Sequence, residues 1–291
     1  MYLSTLLVDT GSNPDRPRPG RLWLRNLYRV HQRLCMAFPS ATRQQADPEC
    51  LKPYRPEDFP QGRPAAETDA AEMADGPLAH VHISRSDRSG FLFRVEPQPG
   101  GNAVIVVLSA LRPDWHYAFG LRESFDLNGR PVGNAGYLLA APPETHPFAV
   151  EIRVGGRFRF SLQANPTKRS PMTKLQRQAR KTAGDQVKRP RRQLTWQPGH
   201  DPGPVFKGWL QQRSVGAGFK LLDVGVSRIG YAYINKGEKS GKGQRLRSVC
   251  YHGTLEVTDA DGFRKALAAG IGPAKAFGFG LLRVELLRGG D

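Results

Sequence analysis

Cysteine is scarce in this chain: Cys35, Cys50 and Cys250 are the only three among 291 residues. That density argues against a disulfide framework and fits a reducing compartment. Neither the cysteines nor the seven histidines fall at zinc-like spacing. His80 and His82 come nearest, but their alternation beside Val81 and Ile83 is the pattern of a strand, so no metal is expected. No apolar run approaches the length of a membrane span, and no lipidation signal is present. The opening Met1-Tyr2-Leu3-Ser4-Thr5-Leu6-Leu7-Val8-Asp9 is too short for a signal peptide and lacks its basic flank, so it is expected to be a first strand. A cytoplasmic protein without a membrane partner is expected. Acid is the other shortage: 26 Asp and Glu stand against 43 Lys and Arg, giving a net charge of +17 and a pI near 10.2. Such an excess speaks of a polyanionic partner rather than of fold, and nucleic acid leads. Binding at a membrane surface calls for a basic amphipathic helix, and none is found.

Apolar spacing at Trp23, Leu27, Val30, Leu34 and Phe38 predicts one helix from about Arg21 to Phe38 with a single buried face. The segment from Ser40 to Pro77 is rich in Pro, Ala, Asp and Glu, has few large apolar residues, and is expected to be a disordered insertion. Strands follow at Gly90–Val95 and Ala103–Leu108, the second continuous and therefore central. Residues 112–150, dense in Pro and Gly, are expected to connect a domain at 1–111 to one at 151–291. In the second half, Arg157–Ala164 alternates with period two, Phe206–Arg213 suggests a short helix, and Gly218–Val224 and Ser248–Val257 suggest strands. Asp259 can cap a helix reaching about Ala269, and a last strand covers Leu281–Leu287. The order approximates βαββαβ and predicts an α+β fold of two ferredoxin-like domains, although the second helix and last strand of the first half are hard to place.

Three features carry chemistry. Between Arg153 and Gln193 thirteen basic residues, among them Arg157, Arg159, Lys168 and Arg169, face a single acid, Asp185. A run that starts on an alternating strand is partly fixed in space and offers a positive stripe to a phosphate backbone. The glycine-studded segment Gly270-Ile271-Gly272-Pro273-Ala274-Lys275-Ala276-Phe277-Gly278-Phe279-Gly280 lets main-chain N–H groups approach an anion while Lys275 supplies charge. Lys239 and Lys242 lie in a second basic loop, which reads either as a hairpin tip touching RNA or as an exposed turn. Three residues separate Gly237 from Gly241, and Gly243 follows Lys242, so the loop departs from the nucleotide phosphate-binding motif and no nucleotide cofactor is expected. Finally, Tyr28 and His31 are three apart on the first helix, on the flank of its buried stripe, and form a candidate acid–base pair, although taken alone such a pair more often serves packing and hydrogen bonding. Cys35, one turn further on, is expected to be a buried structural cysteine.

The Met1-Tyr2-Leu3-Ser4 opening, Leu27-Tyr28-Arg29-Val30-His31-Gln32, Gly90-Phe91-Leu92-Phe93-Arg94-Val95-Glu96, Arg157-Phe158-Arg159-Phe160 with Ala164-Asn165-Pro166-Thr167-Lys168, the Lys239-Ser240-Gly241-Lys242 loop and Gly270 to Gly280 occur together in one family. Outside the insertion the chain resembles CasE, the CRISPR-associated endoribonuclease of the type I-E Cascade complex. The insertion and the enlarged basic segment after Lys168 depart from shorter relatives. The resemblance implies two tandem ferredoxin-like (RRM- and RAMP-like) domains. It also implies metal-independent cleavage of CRISPR precursor RNA beside a repeat hairpin, and retention of the product among other Cascade subunits. His31 and Tyr28 are implied as the catalytic pair, and Lys168 as lying near the RNA, with no cofactor. The expected chemistry is attack of a ribose 2′-hydroxyl on the adjacent phosphorus, giving a 2′,3′-cyclic phosphate and a 5′-hydroxyl. His31 acts as general acid or base and Tyr28 takes the complementary or positioning role. The competing expectation is a non-catalytic RNA-binding scaffold, which explains the charge and the glycines equally well.

Overall fold

A computed structural model describes residues 1–11, 19–38, 90–98, 102–119, 138–171, 178, 191–235 and 243–287. The insertion at 40–77, His80, His82, Lys239 and Lys242 lie outside the described residues. The chain forms a mixed α/β fold with antiparallel sheets, divided into two compact units. Unit 1 comprises Met1–Glu151, Tyr233–Gln244 and Lys275–Leu281; unit 2 comprises Ile152–Ala232, Arg245–Ala274 and Leu282–Asp291. All of 151–291 was expected in one domain, yet two short segments of it group with unit 1.

In unit 1, β1 (Tyr2–Asp9) is followed by α1 (Pro19–Leu24), α2 (Leu27–Cys35), β2 (Phe91–Pro97), β3 (Asn102–Ser109), α3 (Trp115–Phe119) and β4 (Glu144–Pro147). The strands lie in the order β2-β3-β1-β4, with antiparallel pairing throughout. The apolar run of β3 is central as expected, flanked by β2 and β1. The single helix expected over 21–38 is two helices, broken at Arg25 and Asn26. The five apolar residues that suggested it, Trp23, Leu27, Val30, Leu34 and Phe38, are nevertheless all buried. Periodicity survives the break because both helices pack on one core. Residues 112–150, expected to be a connection, instead hold α3 and β4, and Tyr2 pairs with Pro147 and Thr5 with Glu144. Thr145 ties the two together: its hydroxyl lies 2.9 Å from that of the buried Ser4 and accepts from the Trp115 indole at 3.1 Å. Proline and glycine density masked this short edge strand, since an edge tolerates residues that a central strand cannot.

Unit 2 contains β5 (Arg157–Ala164), β6 (Thr167–Arg169), β7 (Arg191–Gln193), α4 (Gly203–Ser214), β8 (Phe219–Ile234), β9 (Gln244–Val257), α5 (Ala260–Ala269) and β10 (Leu282–Leu286); the last two residues of β8 and Gln244 group with unit 1. Its main sheet runs β10-β5-β9-β8, and β6 pairs with β7 in a separate ribbon. The expected alternation of β5 is observed: Phe158, Phe160, Leu162 and Ala164 are buried while Arg157 and Arg159 are exposed. Strand β9 starts four residues before the expected Ser248, and β8 runs on from the expected Val224 to Ile234 through glycines of the kind that signals turns. Gly225 is one: a side chain there would strike the His252 ring. The core gathers Phe158, Phe219 and Phe263, with Phe263 5.7 Å from each of the other two, beside a stacked Trp209–Tyr251 pair. Asp259 caps α5 as expected, its carboxylate accepting from the Asp261 N–H at 3.1 Å.

Candidate acid–base site and cationic cleft

The unit 1 site is built on α2. Nine residues are too few to hold a helix unaided in water, so packing and capping maintain it. Leu27, Val30 and Leu34 are buried, and Asn26 caps the N-terminus by accepting from the Tyr28 N–H at 3.2 Å. Tyr28 and His31 emerge half-buried, one turn apart on the flank of that stripe. The His31 imidazole stacks 5.6 Å from the Phe91 ring and 6.5 Å from Phe93, and Phe91 in turn stacks 4.9 Å from Phe38. Cys35 is buried as expected, yet its Sγ lies 3.5 Å from His31 Nε2. One face of the imidazole is therefore set by β2 and one edge by a thiol.

The glycine-rich segment enters the same unit. A 3₁₀ turn over Lys275–Phe277 packs against α2 and β2, with the Phe277 ring 6.4 Å from that of Tyr28. Gly278 adopts φ of 77° beside Phe93, where a Cβ would stand 3.2 Å from a ring carbon; Gly280, at φ 90°, is buried. Leu281 joins Leu92, Val106 and Leu108 in an apolar cluster. Since Leu92 and Phe93 point to opposite faces of the edge strand β2, the segment wraps round that edge. Lys275, Gly278 and Gly280 thus belong with Tyr28 and His31.

Gly270 and Gly272 belong elsewhere, in a cleft of unit 2 of about 860 Å³. Lys168, Arg169, Arg191, Arg213 and Lys265 line it together with these two glycines, and among the described residues no carboxylate does. Arg213 is held in advance: its guanidinium stacks 3.9 Å above the Trp209 ring and donates to the carbonyls of Trp209 (3.1 Å) and Thr167 (3.3 Å). Burial first, and the neighbouring charge of Arg191 second, hold Arg213 below the usual guanidinium value. Gly272 rests on Trp209, where a Cβ would fall 2.9 Å from the indole. In the β6–β7 ribbon Lys168 sits opposite Arg192, and Arg169 opposite Arg191. Like charges directly across a ladder are unfavourable, and an anion bound in the cleft would offset the repulsion between Arg169 and Arg191, which both line it.

Arg157 and Arg159 do not join this cleft. Arg157 donates to Glu256 at 3.1 Å, Lys220 reaches the same carboxylate at 2.6 Å, and Arg159 stands 3.9 Å from Glu285. Hydrogen bonds from Lys220 and then Arg157 hold the Glu256 carboxyl below its usual range. The positive stripe expected from residue 153 onward is therefore partly neutralised on β5, whereas at the ribbon no carboxylate among the described residues lines the cleft. Asn26, Arg213 and Lys265 went unremarked in the sequence. An asparagine immediately before a helical run is a recognisable cap, and Arg213 lies one turn after Trp209; Lys265 carries no comparable signal.

Among known proteins, the family model described as CRISPR associated protein matches residues 78–285. The chain is 29% identical over 238 residues to the CRISPR-associated endoribonuclease Cse3 of Thermus thermophilus, covering 76% of this chain and 95% of that relative. It is 26% identical over 292 residues to the CRISPR system Cascade subunit CasE of Escherichia coli, covering 99% of this chain and all of the relative. A solved structure of the CRISPR endoribonuclease Cse3 bound to a 19-nucleotide RNA superposes with a TM-score of 0.58 at 25% identity, covering 98% of this chain and all of that one.

Proposed function

Because the chain belongs to the CRISPR associated protein family, we propose that it is a metal-independent endoribonuclease that cleaves CRISPR precursor RNA beside the repeat hairpin and stays with the product as a Cascade subunit. The observation that carries the reading is the placement of Tyr28 and His31 on one capped helix with the Lys275–Phe277 turn packed beside them. An imidazole and a phenol one turn apart can pass protons to and from two oxygens of the same ribonucleotide linkage. The ribose 2′-hydroxyl serves as nucleophile, so no activated water is required. His31 acts as general acid or base, Tyr28 takes the complementary or positioning role, and Lys275 offsets the charge that develops on the phosphate. The cationic cleft of unit 2 supports binding of the RNA backbone through Lys168, Arg169, Arg191 and Lys265.

Both sheets support two tandem ferredoxin-like domains. In each unit the first and third main strands are central and the second and fourth lie at the edges, the order that βαββαβ connectivity generates. Among the described residues no helix is long and apolar enough to cross a membrane, and a cytoplasmic location goes with the proposed role. The test is incubation of the full chain with hairpin-containing repeat RNA in excess chelator. A 2′,3′-cyclic phosphate on the upstream fragment and a 5′-hydroxyl on the downstream one are expected. A 3′-hydroxyl with a 5′-phosphate contradicts the chemistry, and binding without cleavage favours the scaffold.

A further inference from the structure

We infer that Asn26 is a positioning residue for Tyr28 and His31, acting through a clamp on the chain just beyond β8. The inference rests on the reading of those two side chains as the catalytic pair. Three hydrogen bonds converge on the Asn26 carboxamide. Its Oδ1 accepts from the Tyr28 N–H at 3.2 Å and from the Asn235 N–H at 3.0 Å, while its Nδ2 donates to the Asn235 carbonyl at 2.9 Å. The first of these is an ordinary helix cap, which Ser, Thr or Asp makes as well. The other two are a bidentate pair with the backbone of a residue 209 positions away, and this pair needs a short side chain that donates and accepts in one plane. Asparagine alone meets both demands.

The clamp also explains why the helix expected over 21–38 breaks at residue 26. A continuous helix would commit the backbone there and point its side chain along the helix surface instead of back across the first turn. With the break, the start of α2 is tied to Asn235, and Tyr28 stands in that tied turn with its ring 6.4 Å from that of Phe277. His31 follows one turn later. A short helix frays first at a free end, and a misplacement on the order of 1 Å in a catalytic group costs about 10²-fold in rate.

Asn26→Ser and Asn26→Asp in the full chain separate the two tasks. Serine keeps the cap and removes the clamp; aspartate keeps both acceptor bonds and sets a carboxylate against the Asn235 carbonyl. On saturating hairpin repeat RNA, each variant is expected to lose roughly 10- to 100-fold in single-turnover cleavage rate, with RNA affinity and melting temperature close to the parent's. The Tyr28 amide and His31 ring resonances are expected to move. Should Asn26→Ser fold poorly, the rate and resonances of Asn26→Asp carry the test. Parental cleavage in a folded variant overturns the inference. If His31→Ala cleaves at the parental rate, the catalytic reading itself fails; the resonances then decide positioning alone, and unmoved signals in Asn26→Ser overturn it.

Discussion

At the scale of the residue, Tyr28 and His31 were legible because a spacing of three on a helical pattern fixes two side chains as neighbours whatever surrounds them. Their setting was not. The stacking of His31 on Phe91 and Phe93 brings together residues about sixty apart in sequence, and no local pattern encodes it. The glycines carried a signal of the right kind with only part of its meaning. Gly272 and Gly278 have positive φ, but each also lies against an aromatic ring, Trp209 or Phe93, so close packing is a second reason for their lack of a Cβ. If His31 moves a proton in the transition state, His31→Ala is expected to lower single-turnover cleavage by about 10²- to 10⁴-fold with RNA affinity retained. Rapid-quench kinetics beside a binding isotherm checks this, and a variant that binds and cleaves as the parent does contradicts it.

At the scale of the element, long-period patterns were read well and interrupted ones poorly. Strands β1, β3 and β5 and helix α5 lie where alternation, apolar run or cap placed them. α3 and β4 hid in a stretch of Pro and Gly, β8 was read short where Gly225 follows Val224, and β9 was read from Ser248 although it begins at Gln244. The sheet face of unit 2 yields its own prediction. Lys220 and Arg157 favour the ionised form of Glu256, so its folded pKa lies below the unfolded one. The stability this contributes is present above the unfolded value and is lost as pH falls through the folded one. Glu256→Gln is therefore expected to melt below the parent near neutrality and to converge with it in acid, with molar salt narrowing the gap because Lys220 and Arg157 are exposed. Thermal melts across that range measure it; a gap that does not change with pH contradicts the assignment.

At the scale of the whole molecule, net charge was the most informative single number and connectivity the least accessible. An excess of +17 indicated a polyanionic partner, and the cleft of unit 2 concentrates part of that excess where no described carboxylate answers it. That residues 233–244 and 275–281 group with the first unit followed from no composition or period, since long-range grouping arises from side-chain packing rather than from local propensity. If Lys265 meets an RNA phosphate, Lys265→Ala is expected to weaken binding similarly across RNA sequences and to reduce the dependence of log affinity on log salt by about 0.7 to 0.9. A salt titration that leaves the slope unchanged removes Lys265 from the interface. The most direct test of the central claim replaces one ribose, at the scissile linkage of the repeat RNA, by its 2′-deoxy counterpart. The full chain is expected to bind this substrate as it binds the all-ribose RNA and to leave that linkage intact; cleavage there at the ribose rate contradicts attack by the substrate's own hydroxyl.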